Sequence, residues 1–168
     1  FDDFAREPLL PNRMSQWGPG QAWADVNGDG FEDLYLCQGR GTARRIFLNK
    51  GGQLSPSPVP LPDGGAIDDA GALFLDADSD GDADLFVVSG GVDCDAGASG
   101  LQDRLYLNDG KGIFSLAPAG TVPAETDSGG PAAAADFDRD GDLDLFVGGR
   151  CVPGAYPLPG KSHLLRND

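Results

Sequence analysis

Three short segments carry acidic side chains at one fixed spacing, and oxygen ligands at this spacing are suited to binding a metal ion. The segments are "ADVNGDGFEDLYL" at 24–36, "LDADSDGDADLFVV" at 75–88 and "ADFDRDGDLDLFVG" at 135–148. We call the nine residues from the first aspartate of each segment, 25–33, 76–84 and 136–144, the acidic loops, and number their positions from 1 to 9. The predicted ligands are the side chains at positions 1, 3, 5 and 9 and the main-chain carbonyl at position 7: Asp25, Asn27, Asp29, Asp33 and Phe31 in the first loop, Asp76, Asp78, Asp80, Asp84 and Asp82 in the second, and Asp136, Asp138, Asp140, Asp144 and Asp142 in the third.

The chemistry of these side chains favours calcium. Crowded carboxylates repel one another unless a cation lies among them. Ca²⁺ takes 6–8 oxygen ligands at roughly 2.3–2.6 Å, and the glycine at position 6 allows the sharp turn that directs alternate residues at one centre. No His or Cys lies inside a loop, which argues against zinc and copper. We therefore predict about three bound Ca²⁺ ions, which would change the formal net charge from −15 to about −9.

Two other interpretations of the acidic loops are less consistent with the sequence. Asp, Asn and Gly are also good turn formers, but turn formation alone does not require three segments with the same ligand spacing. An EF-hand needs a glutamate at position 12 and an exiting helix, whereas position 12 here is Leu36, Val87 or Val147, within a strand-like run. The loops are therefore predicted to close β-hairpins, with position 9 opening the second strand. Asn27 lowers the charge of the first loop and should weaken its affinity.

Composition excludes several classes of partner. The chain has 27 acidic and 12 basic side chains, and 14 of the acidic ones lie in the acidic loops. Nucleic acid and anionic membrane surfaces require a basic face, so neither is expected as a partner. No apolar run reaches the ~18–20 residues needed for membrane insertion. The cysteines Cys37, Cys94 and Cys151 fit either buried free thiols or one Cys94–Cys151 bridge with one thiol left over.

The acidic loops belong to a longer repeat. Each is followed by a second landmark, "RIFLNKGG", "RLYLNDGKG" or "HLLRND", which contains Asn49, Asn108 or Asn167. In the first repeat, short apolar runs bounded by Gly, Asp and Pro predict strands at about 20–24, 33–36, 45–49 and 53–55. Four antiparallel strands repeated along a chain are typical of β-propeller blades, so we predict an all-β fold of three such units, approximately 5–56, 57–118 and 119–168.

These motifs resemble the FG-GAP/VCBS repeat, found in propellers of integrin α subunits and in secreted ASPIC/UnbV-type proteins. The segments "WGPGQAWADVNGDG" and "GGPAAAADFDRDG" are similar to the Phe-Gly and Gly-Ala-Pro elements that name the repeat. The resemblance implies a calcium ion between the first two strands of each blade. It also implies an extracellular or periplasmic location and a role in binding or adhesion, rarely in catalysis.

Three blades are fewer than the resemblance implies, since such propellers usually have about seven. The third repeat stops at Asn167-Asp168, before its fourth strand, and Phe1-Asp2-Asp3-Phe4 is similar to that missing strand. Because the chain begins with Phe1 rather than Met, we expect a processed or excised piece whose export signal is out of view. We expect that either the remaining blades of a longer chain or a homo-oligomer completes the fold.

The predicted function is a calcium-stabilised binding or scaffold module, not an enzyme, with a protein or glycan ligand. Two alternatives remain open: a structural subunit of an extracellular fibre or surface layer, and a propeller-type hydrolase that uses paired carboxylates. The lone His163 is expected to be structural. The acids available for such a pair outside the acidic loops include Asp2, Asp3, Glu7, Asp63, Asp68, Asp69, Asp93, Asp95, Asp103, Glu125 and Asp127.

Partner recognition is expected in the loops at 39–44, 90–101 and 150–162, which by family analogy lie away from the acidic loops. Their candidate anchors are Arg44, Arg45, Arg104 and Arg150. Trp23 is predicted to lie in an inner strand as a core residue, and Trp17 fits either packing or ligand contact.

Overall fold

Three antiparallel sheets account for nearly all the regular structure. The computed structural model describes residues 1–16, 19–62 and 68–167. The first sheet consists of β1 (Gln21–Ala24), β2 (Asp33–Leu36), β3 (Ile46–Asn49) and β4 (Leu54–Pro56); the second of β5 (Asp69–Leu75), β6 (Asp84–Ser89), β7 (Arg104–Asn108) and β8 (Phe114–Leu116); the third of β9 (Ser128–Ala135), β10 (Asp144–Cys151) and β11 (His163–Leu165). The helical residues are α1 (Asp3–Arg6) and two 3₁₀ turns, Met14–Gln16 and Ser99–Leu101. The predicted all-β fold of propeller-type blades is therefore confirmed.

Each sheet is a simple meander with sequential neighbours, in the order β1-β2-β3-β4 for the first and β5-β6-β7-β8 for the second. The acidic loops connect the first two strands of every sheet. The residue before each loop pairs with position 9, as in Ala24 with Asp33 and Leu75 with Asp84. The third sheet has the order β11-β10-β9 among the described residues. Identical hairpin register makes the three loops equivalent in length and orientation.

The second sheet lies between the other two, and β6 is buried on both faces. Leu85 and Val87 of β6 pack with Tyr35 and Ile46 of the first sheet. The alternate residues Phe86 and Val88 pack in a second cluster with residues of the third sheet, including Leu145 and Val147. Since successive side chains of a strand point to opposite faces, one continuous apolar strand supplies both interblade cores.

The first strands of adjacent sheets approach so closely that glycine is required. A Cβ added at Gly71 of β5 would lie 2.9 Å from the carbonyl oxygen of Gly130 in β9, and one at Gly20 would lie 3.3 Å from the Cα of Gly71. Because real Cβ atoms do not make contacts below 3.0 Å, larger residues would force the inner strands apart. The three sheets therefore come closest to one another at Gly20, Gly71 and Gly130.

The segment 1–4, predicted as a strand, is not one. Asp3–Arg6 forms the short helix α1, and its contacts are with loops rather than with a sheet edge. The Asp3 carboxylate accepts the Ser15 N–H at 2.8 Å, and Arg6 donates to the Cys94 carbonyl at 2.7 Å. Farther along, the Glu7 carboxylate accepts the N–H groups of Gly154 and Tyr156. These tertiary contacts hold the segment across the second and third sheets and override its strand-like pattern.

Trp23 was predicted to be a core residue, but it is 46% exposed. It lies in β1 as expected, yet Ala22 and Ala24 of that strand face inward, so Trp23 is directed to the outer face of the first sheet. Phe146 of β10 is likewise 50% exposed, although its counterpart Phe86 in β6 is completely buried. The exposed aromatic residues thus mark the two faces that no described blade covers. Trp17 lies outside the described residues.

All three cysteines are free thiols, with Cys37 and Cys151 buried. Burial raises the pKa of Cys37 to about 12 and that of Cys94 to about 11, which keeps both thiols protonated at neutral pH. The sequence allowed either free thiols or one Cys94–Cys151 bridge, and the structure has free thiols at all three positions.

Candidate metal centre

The three acidic loops share one backbone conformation. Position 6 has a positive φ in every loop, 87° at Gly30, 92° at Gly81 and 107° at Gly141. Position 4 also has a positive φ, 71° at Gly28, 61° at Ser79 and 66° at Arg139. Residues other than glycine rarely adopt a positive φ. Those that do are found mainly at functional sites, where the surrounding structure holds the backbone in place. The conformation of position 4 was missed from the sequence, because only the first loop has glycine there.

Positions 1, 3 and 9 converge in the second and third loops. One carboxylate oxygen from each of Asp76, Asp78 and Asp84 lies within 4.8 Å of the others, and the same holds for Asp136, Asp138 and Asp144. Oxygens bound to one ion at 2.3–2.6 Å can be at most about 5 Å apart, so both groups fit the reach of Ca²⁺. The donor set is oxygen only, as a hard cation requires. These residues could hold a metal ion.

The side chain at position 5 makes a hydrogen bond within its own loop. Its carboxylate accepts the N–H of position 7 in each loop: Asp29 from Phe31 at 2.9 Å, Asp80 from Asp82 at 2.9 Å and Asp140 from Asp142 at 3.1 Å. This short-range bond stabilises the turn. Position 5 is absent from both converging groups among the described residues. Its predicted ligand role, and that of the position 7 carbonyl, stay predictions.

Position 9 has a structural role that the sequence did not indicate. In the second loop, the two carboxylate oxygens of Asp84 accept the N–H of Ala77 at 2.9 Å and the N–H of Asn108 at 2.8 Å. Asp33 and Asp144 make the equivalent pairs of bonds in their own blades, and all three aspartates are buried. The aspartate at position 9 therefore connects the acidic loop to the third strand. In the second and third loops it is also one of the three converging carboxylates.

The first loop differs from the other two. Asp25 accepts four main-chain N–H groups, with distances of 2.8 Å from Gly28 and from Gly30. These bonds, chiefly the one from Gly30, lower the pKa of Asp25. The amide oxygen of Asn27 accepts the Asp29 N–H at 3.0 Å. Asp76, at position 1 of the second loop, accepts only two such bonds, from the N–H groups of Asp80 and Gly81, both at 3.1 Å. The weaker calcium affinity of the first loop stays a prediction.

Electrostatic crowding is evident in the second loop. Burial, together with the charges of Asp78 and Asp80, raises the pKa of Asp84. The pKa of Asp82 is also raised, through desolvation and the neighbouring carboxylates. A divalent cation among these groups would reverse the repulsion.

A basic side chain modifies the third loop. Arg166 lies 2.7 Å from the Asp138 carboxylate, so a guanidinium already neutralises part of this group. The equivalent residues, each directly before the landmark asparagine, are Leu48 and Leu107. The second loop therefore has three converging carboxylates and a leucine, rather than an arginine, directly before its landmark asparagine.

Two of the three landmark asparagines connect adjacent blades at the acidic loops. The Asn108 side chain donates to the carbonyl of Val26, at position 2 of the first loop, at 2.9 Å. Asn167 donates to the carbonyl of Ala77, at position 2 of the second loop, also at 2.9 Å. Asn108 and Asn167 thus bind the loop of the preceding blade, whereas the Asn49 side chain donates to the Glu32 carbonyl of its own blade at 3.0 Å.

Two of the arginines predicted to be recognition anchors are instead buried with Asp69. The Asp69 carboxylate pairs with Arg44 at 2.8 Å and with Arg104 at 2.6 Å. It also accepts the Tyr35 hydroxyl at 2.7 Å and the Gln38 N–H at 2.8 Å. Burial by itself would raise the pKa of Asp69, but the bonds from Arg44 and the charge of Arg104 outweigh it and lower the pKa. Asp69 is a polar bridge between the first and second sheets.

Comparison with known proteins agrees with this architecture. The model of the FG-GAP-like repeat family matches residues 22–87 and 88–147. The chain belongs to the FG-GAP-like repeat family. Repeats of this family are typical of extracellular or surface proteins.

A relative among characterised proteins is the T-cell immunomodulatory protein of Rattus norvegicus, which is 30% identical over 125 residues. The match covers 74% of this chain but 19% of the relative, so the chain spans about a fifth of the length of that protein. None of the helices in the described residues is long and apolar enough to cross a membrane.

Proposed function

We propose that this FG-GAP-like chain is a calcium-stabilised, extracellular binding or scaffold module. The observation that carries the proposal is the convergence of three carboxylates within 4.8 Å in the second and third acidic loops. Oxygen ligands in this number and spacing suit Ca²⁺ and require a cation to relieve their repulsion. Positions 1, 3 and 9 would hold the ion in both loops.

Calcium at these loops would act on the architecture rather than on a reaction. Position 9 connects the loop with the third strand of its own blade, and position 2 accepts the asparagine side chain of the next blade. An ion bound by position 9 therefore stabilises both the hairpin and the contact between blades. This leaves the opposite ends of the strands for a protein or glycan ligand, consistent with a role in binding and not in catalysis.

The test is calcium-dependent stability. At free calcium 100 times the Kd, each site should add about 2.7 kcal/mol to the free energy of unfolding. For a chain of this size that corresponds to an increase in Tm of about 5 to 10 °C, measured by calorimetry of chelated and calcium-saturated protein. An identical Tm in the two samples would refute the proposal.

Variants identify the ligands. Asp78→Asn gives the second loop the position 3 residue of the first and should weaken its calcium affinity about tenfold. Asp80→Asn makes the same charge change at position 5, outside the converging group, and should have a smaller effect in calorimetric titration. Arg166→Leu places the residue of the other repeats beside Asp138 and should strengthen the third site. Equal losses for Asp78→Asn and Asp80→Asn would show that position 5 is a ligand after all.

We also propose that the outer faces of the first and third sheets pack against further blade-like units, either in the same protein or in a second copy. Trp23 and Phe146 are about half exposed on these faces. The face of β6 that carries Phe86, the counterpart of Phe146, is covered by the third sheet. Large exposed apolar side chains grouped on a sheet face are typical of contact surfaces.

A further inference from the structure

The first acidic loop differs from the other two at positions 3 and 4. The residues there are Asn27-Gly28 in the first loop, Asp78-Ser79 in the second and Asp138-Arg139 in the third. The backbone at position 4 has a positive φ in all three loops, so the loops keep one shape at this point. The difference is therefore one of side-chain chemistry, with an amide followed by glycine in place of a carboxylate followed by a larger residue.

An asparagine that precedes glycine is prone to lose its side-chain amide. The main-chain nitrogen of the following residue attacks the side-chain Cγ, and glycine leaves this nitrogen accessible because it has no Cβ. Among the asparagines of the chain, only Asn27 is followed by glycine. The others, each followed by a charged residue, are Asn12, Asn49, Asn108 and Asn167. The sequence thus directs the reaction to position 3 of the first loop.

The surroundings of Asn27 permit the reaction. Asn27 is half-buried and Gly28 is exposed, so water reaches the reacting groups. A Cβ added at Gly28 would have no neighbouring atom within 4 Å, so no other side chain shields this residue. The Asn27 Nδ2, which must leave, donates no hydrogen bond to the described residues. The Nδ2 atoms of Asn49 and Asn108, by contrast, donate to main-chain carbonyls.

Two hydrogen bonds of the loop act on the reacting atoms in opposite ways. The Asp29 N–H donates to Asn27 Oδ1 at 3.0 Å, and a donor at this oxygen stabilises the negative charge that it gains when Cγ is attacked. The Gly28 N–H donates to the Asp25 carboxylate at 2.8 Å, and this bond must open before the nitrogen can attack. We therefore expect the folded chain to react, but more slowly than the unfolded chain.

We propose that Asn27 is a self-modification site, whose side-chain amide is converted into a carboxylate after the chain has folded. The Gly28 nitrogen gives its proton to water and bonds to the Asn27 Cγ. The bond from Cγ to Nδ2 breaks, and Nδ2 takes up a proton from water and leaves as ammonia. Water then opens the resulting succinimide at Cγ, which restores the main chain with an aspartate at position 3. The reaction consumes one water molecule and releases one ammonia molecule.

The modification gives the first loop the same ligand types as the other two. Positions 1, 3 and 9 then all carry carboxylates, and these are the three positions that converge in the second and third loops. A carboxylate brings a negative charge to the site, which a hard cation favours over the neutral oxygen of an amide. We expect the calcium affinity of the first loop to rise about tenfold. This consequence rests on the proposed function, whereas the loss of the amide does not.

The test is incubation of the folded full chain at mildly alkaline pH with a calcium chelator, followed by proteolysis and mass spectrometry. We expect the peptide that contains Asn27 to gain the mass difference between NH₂ and OH. The peptides that contain Asn12 and Asn49 should keep their mass. A sample unfolded in urea and incubated in parallel should gain mass at Asn27 sooner, because the bond between Gly28 and Asp25 is then absent.

Two variants isolate the reacting groups. Gly28→Ser copies position 4 of the second loop and should slow the gain of mass about tenfold or more, because the added side chain hinders the nitrogen. Ser79 has the same positive φ in the second loop, so this variant is compatible with the fold. Asn27→Gln is the matched control, since it keeps an amide but moves it one methylene farther along the side chain; it should not gain mass. Thermal unfolding of both variants checks that they fold.

Calcium titration of the same samples measures the consequence. The incubated original chain should approach the affinity of Asn27→Asp, and incubated Asn27→Gln should keep its starting affinity. No gain of mass at Asn27 in the folded chain, or an equal gain at Asn12, would overturn the proposal. A product that is entirely isoaspartate would overturn it too, because opening the succinimide at its main-chain carbonyl inserts a CH₂ group into the backbone.

The two readouts separate this proposal from the proposed function. A gain of mass at Asn27 as aspartate, with calcium affinity unchanged both there and in Asn27→Asp, would support the modification. The same result would count against the first loop as a calcium site.

Discussion

Replacing Asp69 with asparagine should be among the most destabilising single changes in this chain that leave side-chain volume unchanged. The carboxylate is completely buried and pairs with Arg44, also completely buried, and with Arg104, which is 8% exposed. Asp69→Asn would leave these two guanidinium groups in the interior without their counter-charge. Because the two arginines come from different sheets, the loss acts on the contact between the first and second blades.

The magnitude follows from the burial of the partners. Removing one member of a buried ion pair costs about 3–5 kcal/mol, because the remaining charge is left uncompensated. With two buried cations affected, we expect a loss of about 5 kcal/mol from a total stability of about 8–25 kcal/mol for a chain of this length. Tyr35→Phe removes only one donor to the carboxylate and should cost about 1.5–3 kcal/mol.

Urea unfolding followed by tryptophan fluorescence, in saturating calcium, measures these losses. Asp68→Asn is the matched control, since this neighbouring carboxylate lines a cavity and its Oδ1 accepts the Arg40 N–H, a bond that the asparagine carbonyl can preserve. We expect less than about 1 kcal/mol for the control. Losses within about 1 kcal/mol of each other for Asp68→Asn and Asp69→Asn would refute the assignment of Asp69 as an interblade bridge.

The same carboxylate predicts a dependence on acid pH. The pKa of Asp69 is lowered in the folded state, since the bonds from Arg44 and the charge of Arg104 outweigh the effect of burial. Its contribution is therefore fully present above the ordinary pKa of 3.8 and is lost as the pH falls through the lower, folded value. The Asp69→Asn variant should lack this part of the acid-induced loss of stability.

Two further predictions concern the second blade and the outer faces. Burial raises the pKa of Asp103 from 3.8 to about 7, so the folded state keeps this proton longer than the unfolded state does. The free energy of unfolding should therefore fall by up to about 4 kcal/mol as the pH rises from 4 to 7. In urea unfolding, Asp103→Asn should remove this dependence of stability on pH. An unchanged pH dependence in the variant would contradict the raised pKa of Asp103. Phe146 should support self-association through the outer face of the third sheet, so Phe146→Ser should weaken concentration-dependent association in sedimentation equilibrium. The control is Phe137→Ser in the third acidic loop, where the phenylalanine is 66% exposed. A monomeric mass at every concentration of the original chain would argue against that contact.

The strand positions and the hairpin loops were predictable because their determinants are local. The predicted strands of the first repeat, 20–24, 33–36, 45–49 and 53–55, correspond to β1 to β4 within about one residue. Alternation of apolar residues and the turn chemistry of Asp and Gly operate over a few residues, so a single repeat encodes its own hairpin. Repetition then removed the remaining ambiguity, because three segments with one spacing point to one shared structure.

The roles of side chains that act between blades could not be predicted in this way. Nothing in the sequence around Asp69 pairs it with Arg44 and Arg104, which are 25 and 35 residues away. Asn108 likewise meets the carbonyl of Val26 across 82 residues. These contacts depend on how the sheets stack, and stacking brings together residues whose separation along the chain carries no signal.

The burial of aromatic residues and the conformation of the first residues depend on the same stacking. Tyr35 and Phe86 are completely buried while Phe146, at the equivalent position of the third repeat, is half exposed. A local pattern cannot distinguish these three residues, because the strand around each one is the same. What separates them is whether a neighbouring sheet covers that face, just as contacts with distant loops, rather than its own residues, make Asp3–Arg6 a helix.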